Sequence, residues 1–454
     1  MGFPLEDCYA DDAAFLWQLR KETELLRCAF RDGAFANEGF DVGFEIEFHL
    51  LDEKQKPKRV SLEILKQINK PFMVSESYSS MMEFNSKHFP IAGSGLLEAH
   101  HHLISIWKRC LRICKKNKVD LVAIGSLPTF SIEDMDEKYV TALTRYQVLG
   151  EQLKKLYPDP EKTLVSRMGS SSAFHIHFRI PVTKAVDYYN AANIATAPLL
   201  AIAGNGPYFL QQRLWEESRI YLFESSSGHS AHKKGRAFFG DHYLRKTFYN
   251  LFKENLKIPP LLNRLCVKTE DPFWHLMLHN GTIWRWNRPV ISLHDQGPLH
   301  VRIEHRSLPS GPTIIDMLAN AFFWIGLTKV IGDDIESYMA CSTFRQVRNN
   351  FYNAAQYGLE KSFMWPTIGK IQPQELILNH LLPLAYRGLE SLDITPILIK
   401  DYLNIIRDRA LNGQTGSRWQ QKFMAHHPGA WAEMMEAYAM EQKKDKPISK
   451  WANG

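Results

Sequence analysis

Gly43-Phe44-Glu45-Ile46-Glu47-Phe48-His49-Leu50 alternates strictly between apolar and polar residues. That period marks a half-buried strand, with Phe44, Ile46, Phe48 and Leu50 on one face and Glu45, Glu47 and His49 on the other. Same-face side chains two residues apart in a strand sit about 6.6 Å from one another. Two carboxylates at that spacing repel unless a positive charge lies between them. A divalent cation is the usual counter-charge, because hard cations take carboxylate oxygens. An edge strand with a solvated polar face fits the same eight residues equally well, so the neighbouring stretches decide.

Three further stretches follow the same plan. In Met81-Met82-Glu83-Phe84-Asn85, Met82 and Phe84 point one way and Glu83 and Asn85 the other. In Ala173-Phe174-His175-Ile176-His177-Phe178-Arg179-Ile180 the phenylalanines and isoleucines face a core, with His175, His177 and Arg179 opposite; two histidines at i, i+2 can share one metal. In Pro298-Leu299-His300-Val301-Arg302-Ile303-Glu304-His305-Arg306, Val301 and Ile303 face inward and Arg302, Glu304 and Arg306 outward. A solvated sheet face is normally rich in lysine and threonine, and these faces carry no lysine.

The expected fold class is therefore α+β: a curved antiparallel sheet with one open polar face, backed by helices. That face gathers Glu45, Glu47, Glu83, His175, His177, Glu304 and Arg306. Four carboxylates so close do not all ionise at neutral pH without cations, and two or three Mg²⁺ or Mn²⁺ ions would balance them. Arginine beside them points to an anion that bridges metal and guanidinium, for which phosphate is the best fit. Phosphoryl transfer with several metals follows as the expected chemistry. The chain has no Walker A motif and no glycine-rich dinucleotide loop.

With 454 residues, the chain exceeds the usual single core. A catalytic domain over residues 1–366 and a helical C-terminal extension over 367–454 is the division expected. A net charge of +6 is mild over this length and gives no reason to expect nucleic-acid binding. The six cysteines form no C-x-x-C pair, the N-terminus shows no secretory pattern and no run of eighteen apolar residues occurs. The expectation is reduced thiols, a cytoplasmic location and no membrane, with a homo-oligomer left open.

Between the strands, helices are expected from about Asp12 to Phe30, from a Ser61 cap to about Asn69, from Leu96 to Lys118, from Asp134 to Tyr157, and from Val182 to Ala203. The segment from Ser225 to Gly240 reads as a long polar loop of the kind that forms lids. Pro312 is placed as the first residue of a helix running to about Ile331. Residues from 367 onward read as helical throughout. The consecutive His100, His101 and His102 cannot share one helical face, so no metal box is expected there.

The ordered set of Gly43-x-Glu45-x-Glu47, Glu76 seven residues before Glu83-x-Asn85, His175-x-His177 and Glu304-x-Arg306 resembles the glutamate–cysteine ligase type 2, or carboxylate–amine ligase, family. Arg145-Tyr146-Gln147, Ala203-Gly204-Asn205-Gly206-Pro207 and Ser218-Arg219 are similar to it as well, so the resemblance spans roughly residues 40 to 360. It implies a fold like the catalytic domains of glutamine synthetase and the guanido kinases. It also implies ATP-dependent joining of a carboxylate, typically the γ-carboxylate of glutamate, to an amine through an acyl phosphate. On that resemblance Glu45, Glu47, Glu83, His175 and Glu304 hold Mg²⁺ or Mn²⁺, and ATP is the co-substrate. Arg306, with Glu304, serves the transfer itself. Glu76, Asn85, His177, Arg219 and Arg288 stand at substrate positions, Glu76 and His177 being also candidate ligands. Ser86-Lys87-His88-Phe89-Pro90 replaces the family's Thr-Pro, and Leu299 and His300 stand near the place of its Gly-Thr, which leaves the amine acceptor open beyond cysteine. Two other readings remain at this stage: a metal-dependent amide hydrolase using the histidines, and a non-catalytic nucleotide-binding module of the same fold.

Overall fold

The stretch around Glu45 forms β1 (Asp41–Leu51), the centre of an eight-stranded sheet in the computed structural model. The structure describes residues 12–157, 167–228, 235–263, 271–294 and 297–452. The other strands of this sheet are β2 (Met73–Ser75), β3 (Met81–Asn85), β4 (Phe89–Pro90), β5 (Asp120–Val122), β6 (Phe174–Ile180), β7 (Asn287–His294) and β8 (Gly297–His305). Their order is β7-β8-β6-β1-β3-β2, with β4 and β5 paired to the two ends of β1, and every pairing is antiparallel. The sheet is curled, and the mixed class expected from the alternation is the one observed.

Register carries the expectation into three dimensions. Glu45 lies opposite His175 on one side and Asn85 on the other; Glu47 lies opposite Glu83; His177 lies opposite Glu304. A slip by one residue would turn all of these into the core, and the apolar face prevents it. Phe44 stacks on Phe174 (5.5 Å between centroids), Phe48 on Trp107 (5.3 Å), and Phe178 meets Trp324 edge-on (6.0 Å). Trp107 belongs to α1 (Gly95–Lys116) and Trp324 to α3 (Ile314–Asp333), which lies against α2 (Ala185–Ala203) behind the sheet. Among the described residues α3 is the one helix long and apolar enough to cross a membrane, and it is the buried centre of this helical layer.

Several local expectations are corrected. Asp134–Tyr157 is two short turns (Ile132–Met135 and Glu137–Tyr139) and a helix at Thr144–Leu156. Asp134 is captured by Ser131, whose N–H and Oγ both donate to its Oδ2 (2.8 and 2.7 Å), and Thr141 is pulled onto the Glu76 segment by its own hydrogen bonds. Ser61 is the first residue of its helix (Ser61–Ile68) and not the cap; its Oγ lies 3.3 Å from Ser75 Oγ.

Pro312 lies outside the α3 helix, which is capped by Thr313 Oγ1 accepting from Asp316 N (3.2 Å). The Ser225–Gly240 stretch is not a continuous loop. Ser225 and Ser226 end a helix (Ser218–Ser226), and Ala237–Phe238 pair in parallel with Trp284–Arg285 around a fully buried Arg236. Residues 229–234 fall outside the described residues. The C-terminal part opens with a hairpin, Phe363–Trp365 with Gly369–Ile371, before its helices begin. Strand β7 was not expected; its Pro289 is tolerated because β7 is the sheet edge.

Candidate active site

The polar face of the sheet holds two clusters of three ligand groups. Glu47, Glu76 and Glu83 bring one oxygen each to within 4.8 Å of one another, and Glu45, His175 and Glu304 do the same with two oxygens and an imidazole nitrogen. Cross-strand pairing supplies Glu47 with Glu83 and Glu45 with His175; Glu76 arrives from the segment just after β2. That segment is fixed by Thr141, whose Oγ1 donates to Glu76 O (2.6 Å) and whose N–H donates to Ser77 O (2.8 Å).

The two clusters differ in charge balance. In the first, burial and the neighbouring Glu76 charge push the Glu47 carboxyl up to about 8. Burial, then Glu45, Glu76 and Glu47, push Glu83 well above the usual range. Asn85 Nδ2 donates to Glu83 Oε1 (2.6 Å) and Ala173 N–H to Glu47 Oε2 (2.7 Å), which is too little to offset three acids. In the second cluster burial works against ionisation too, but it is outweighed. Arg288 Nε donates to Glu304 Oε2 (2.6 Å) and Arg306 Nη1 donates to Glu304 Oε1, holding that carboxyl well below the usual range. His177 and His175 do the same for Glu45.

His175 is buried, and burial with the nearby Arg306 charge brings its imidazole down to about 4, so it is neutral. Its Nδ1 lies 2.7 Å from Glu45 Oε2 and 3.9 Å from Glu304 Oε1, so the proton sits on Nδ1; its buried Nε2 has no hydrogen-bond partner. Arg302 Nε donates to His177 Nδ1 (3.0 Å), which leaves the His177 proton on Nε2, 2.9 Å from Glu45 Oε1 and off the hydrogen-bonding line. His177 thus steadies Glu45 from the side.

Ten of the eleven residues singled out in the sequence belong to this one face or its rim, Arg219 being the exception, and several duties shift. Glu76 joins the ligand cluster. Arg288 holds Glu304. Arg219, 2% exposed, lies behind the site: its Nη1 donates to Arg306 O (2.7 Å) and its guanidinium lies 5.4 Å from the centre of the Trp286 ring. Trp286 is a packing residue, with Nε1 donating to Glu224 Oε1 (2.7 Å).

A cavity of about 390 Å³ opens beside the second cluster, bordered by Gly43, Glu45, Asn85, His177, Arg179 and Arg302. Arg302 and Arg179 were missed as site residues, although the alternation that placed Glu304 and His177 outward also places them outward. A larger cavity, about 470 Å³, lies away from the sheet face between Phe238, His242, Glu254 and Arg285, and none of the residues singled out in the sequence lines it.

No family model and no curated protein sequence matches the chain. Among solved structures the fold is similar to that of a glutamate–cysteine ligase from Francisella tularensis determined in complex with AMP. The identity is 12%, with 92% of this chain and 91% of that one covered and a TM-score of 0.53. A bifunctional glutathione synthetase from Pasteurella multocida aligns at 12% identity over 89% of this chain and 52% of that one, with a TM-score of 0.49. The chain therefore has an α+β ligase fold with an open polar sheet face. More narrowly, the fold is glutamate–cysteine ligase-like.

Proposed function

We propose that the protein is an ATP-dependent carboxylate–amine ligase that joins an amino-acid carboxylate, with the γ-carboxylate of glutamate as the first substrate to test, to an amine. The observation that carries the reading is the pair of three-ligand clusters side by side on one sheet face, rimmed by Arg288, Arg302 and Arg306. The likeness to a ligase solved with AMP supports it.

The residues fit two divalent cations. Glu47, Glu76 and Glu83 offer the oxygen set that Mg²⁺ or Mn²⁺ takes, and their crowding leaves them short of positive charge; Glu45, His175 and Glu304 suit a second ion. Bound there, such ions would neutralise the nucleotide phosphates and the acceptor carboxylate so that two anions can meet.

The chain's own groups do the rest. Arg302 places positive charge at the wall of the cavity for the nucleotide phosphates, beside an Arg179 whose Nη1 is paired with Asp41 (2.9 Å). Arg306 presents a guanidinium fixed through Glu304 and, at its backbone, through Arg219, ready for the charge of the phosphoryl group in transfer. His175 faces Glu45 with its Nδ1 and would offer that nitrogen to a cation held with Glu45 and Glu304, with its proton then on Nε2. In the reaction a carboxylate oxygen attacks the γ-phosphorus of ATP and ADP leaves. The amine nitrogen then attacks the acyl carbon, and orthophosphate departs with the amine proton.

The test is orthophosphate release with MgATP screened over amino acids and amines, with product masses recorded. Release that depends on both a carboxylate and an amine, with a product heavier by their sum less one water, is the expected result. Amide cleavage without ATP, or no MgATP binding by calorimetry, would overturn the reading.

A further inference from the structure

Asn205 sits in the Gly204-Asn205-Gly206-Pro207 turn after α2, wholly buried, and each of its polar groups is engaged. Its Nδ2 donates to Ser310 O (2.7 Å) and to Tyr438 Oη (2.8 Å). Gln420 Nε2 donates to both its Oδ1 (3.1 Å) and its backbone O (3.0 Å), and Gly125 N–H donates to the same backbone O (3.2 Å). Its own N–H donates to Glu217 Oε2 (3.1 Å).

The partners lead in two directions. Gln420 and Tyr438 belong to the C-terminal helices Gly416–His426 and Trp431–Lys443, and Tyr438 Oη donates onward to Ala123 O (3.0 Å). Ser310 and Glu217 lead to the site. Ser310 Oγ donates to Glu47 O (2.8 Å), and Glu217 opens the turn of chain that carries Arg219 and, through it, Arg306 O.

The socket is walled with glycine. A Cβ on Gly416 would lie 2.0 Å from Asn205 Oδ1, one on Gly311 would lie 3.0 Å from Asn205 Nδ2, and one on Gly125 would lie 3.2 Å from the Asn205 backbone. Gly311 also has a φ of +80°, which a side chain would strain. A buried amide with every bond made, in a space that admits no other side chain at its walls, fixes the relative position of the elements it joins.

We propose that Asn205 is a positioning residue that couples the C-terminal helices to the Glu47–Arg219 end of the site, so that these helices are part of the working centre. Among the described residues, the hydrogen bonds of Asn205, Ser310 and Glu217 end on none of the residues that border the cavity beside Glu45. Loss of the coupling therefore slows the transfer and leaves nucleotide binding alone. The kinetic part rests on the ligase reading; the coupling itself does not.

Tyr438→Phe deletes one hydroxyl that touches none of the ligand groups, and Gln420→Ala deletes the second tie. The expected result for either is MgATP affinity within about 2-fold of wild type by calorimetry and a kcat lower by about 10-fold. Amide exchange at 217–219 and 305–307 is expected to rise by about 10-fold, beyond the change in global stability measured by urea; one net hydrogen bond has this size. Exchange in those segments that follows global stability alone, or equal losses in kcat and MgATP affinity, would overturn the proposal. If wild type releases no phosphate from ATP, the ligase reading fails, and the exchange measurement by itself decides the coupling.

Discussion

Glu304 and Glu83 are both buried glutamates on one sheet face, and they meet opposite surroundings. Glu304 is claimed by two guanidiniums, from Arg288 and Arg306, and stays ionised. Glu83 has, among the described residues, Asn85 alone to donate to it and three acids around it. Charge that the protein supplies in one cluster must come from outside in the other. Mn²⁺ binding followed by electron paramagnetic resonance should therefore show two sites, with the Glu47–Glu76–Glu83 site filling first. Glu83→Gln should weaken that site by about 100-fold, within the range seen when a ligand environment is damaged, and leave the other. Two sites unchanged in Glu83→Gln would break the assignment. Thr141 sets where Glu76 stands, and Thr141→Val keeps its shape without the hydroxyl. Loss of that hydrogen bond should cost about 1 kcal/mol and weaken the same Mn²⁺ site several-fold, with the second site as internal control.

Strands announced themselves and bent segments did not. β1, β3, β6 and β8 each keep a period of two because one face packs on aromatic residues and the other faces the site, so their sequences record both environments. Eight of the eleven polar residues came with that period (Glu76, Arg219 and Arg288 came only with the family resemblance), and the register needed only the packing of Phe44 on Phe174 to bring the eight together. β7 was missed because Asn287-Arg288-Pro289-Val290-Ile291 does not alternate cleanly and carries a proline that only an edge accepts. The Asp134–Tyr157 helix failed for another reason. Its residues are adequate helix formers, and side-chain hydrogen bonds from Ser131 and Thr141 override that preference. Roles behind the face, such as Arg219 holding Arg306 O, depend on which backbone groups come close, and no short sequence pattern encodes that.

At the scale of the whole molecule, a C-terminal helix reaches into the layer behind the sheet. Arg409, from the helix Pro396–Asn412, is 1% exposed and reaches Asp316 Oδ1 (2.8 Å), Asn320 Oδ1 (2.8 Å) and Ile202 O (3.1 Å) behind the sheet. Arg409→Leu would leave Asp316 buried without its counter-charge. The expected loss is about 3–5 kcal/mol in urea unfolding, and replacing both residues by leucine should recover much of it. A single variant as stable as wild type would refute this. The sheet itself imposes a different kind of limit. Glu45 and Glu47 are same-face neighbours two residues apart on one strand, and each belongs to a different cluster, so the spacing of the two clusters along β1 follows the repeat of the β-strand. Substitutions can retune either half, but inserting or deleting a single amino acid between positions 45 and 47 would dismantle both at once. Evolutionary change that keeps both clusters is thereby confined to the borders of the face.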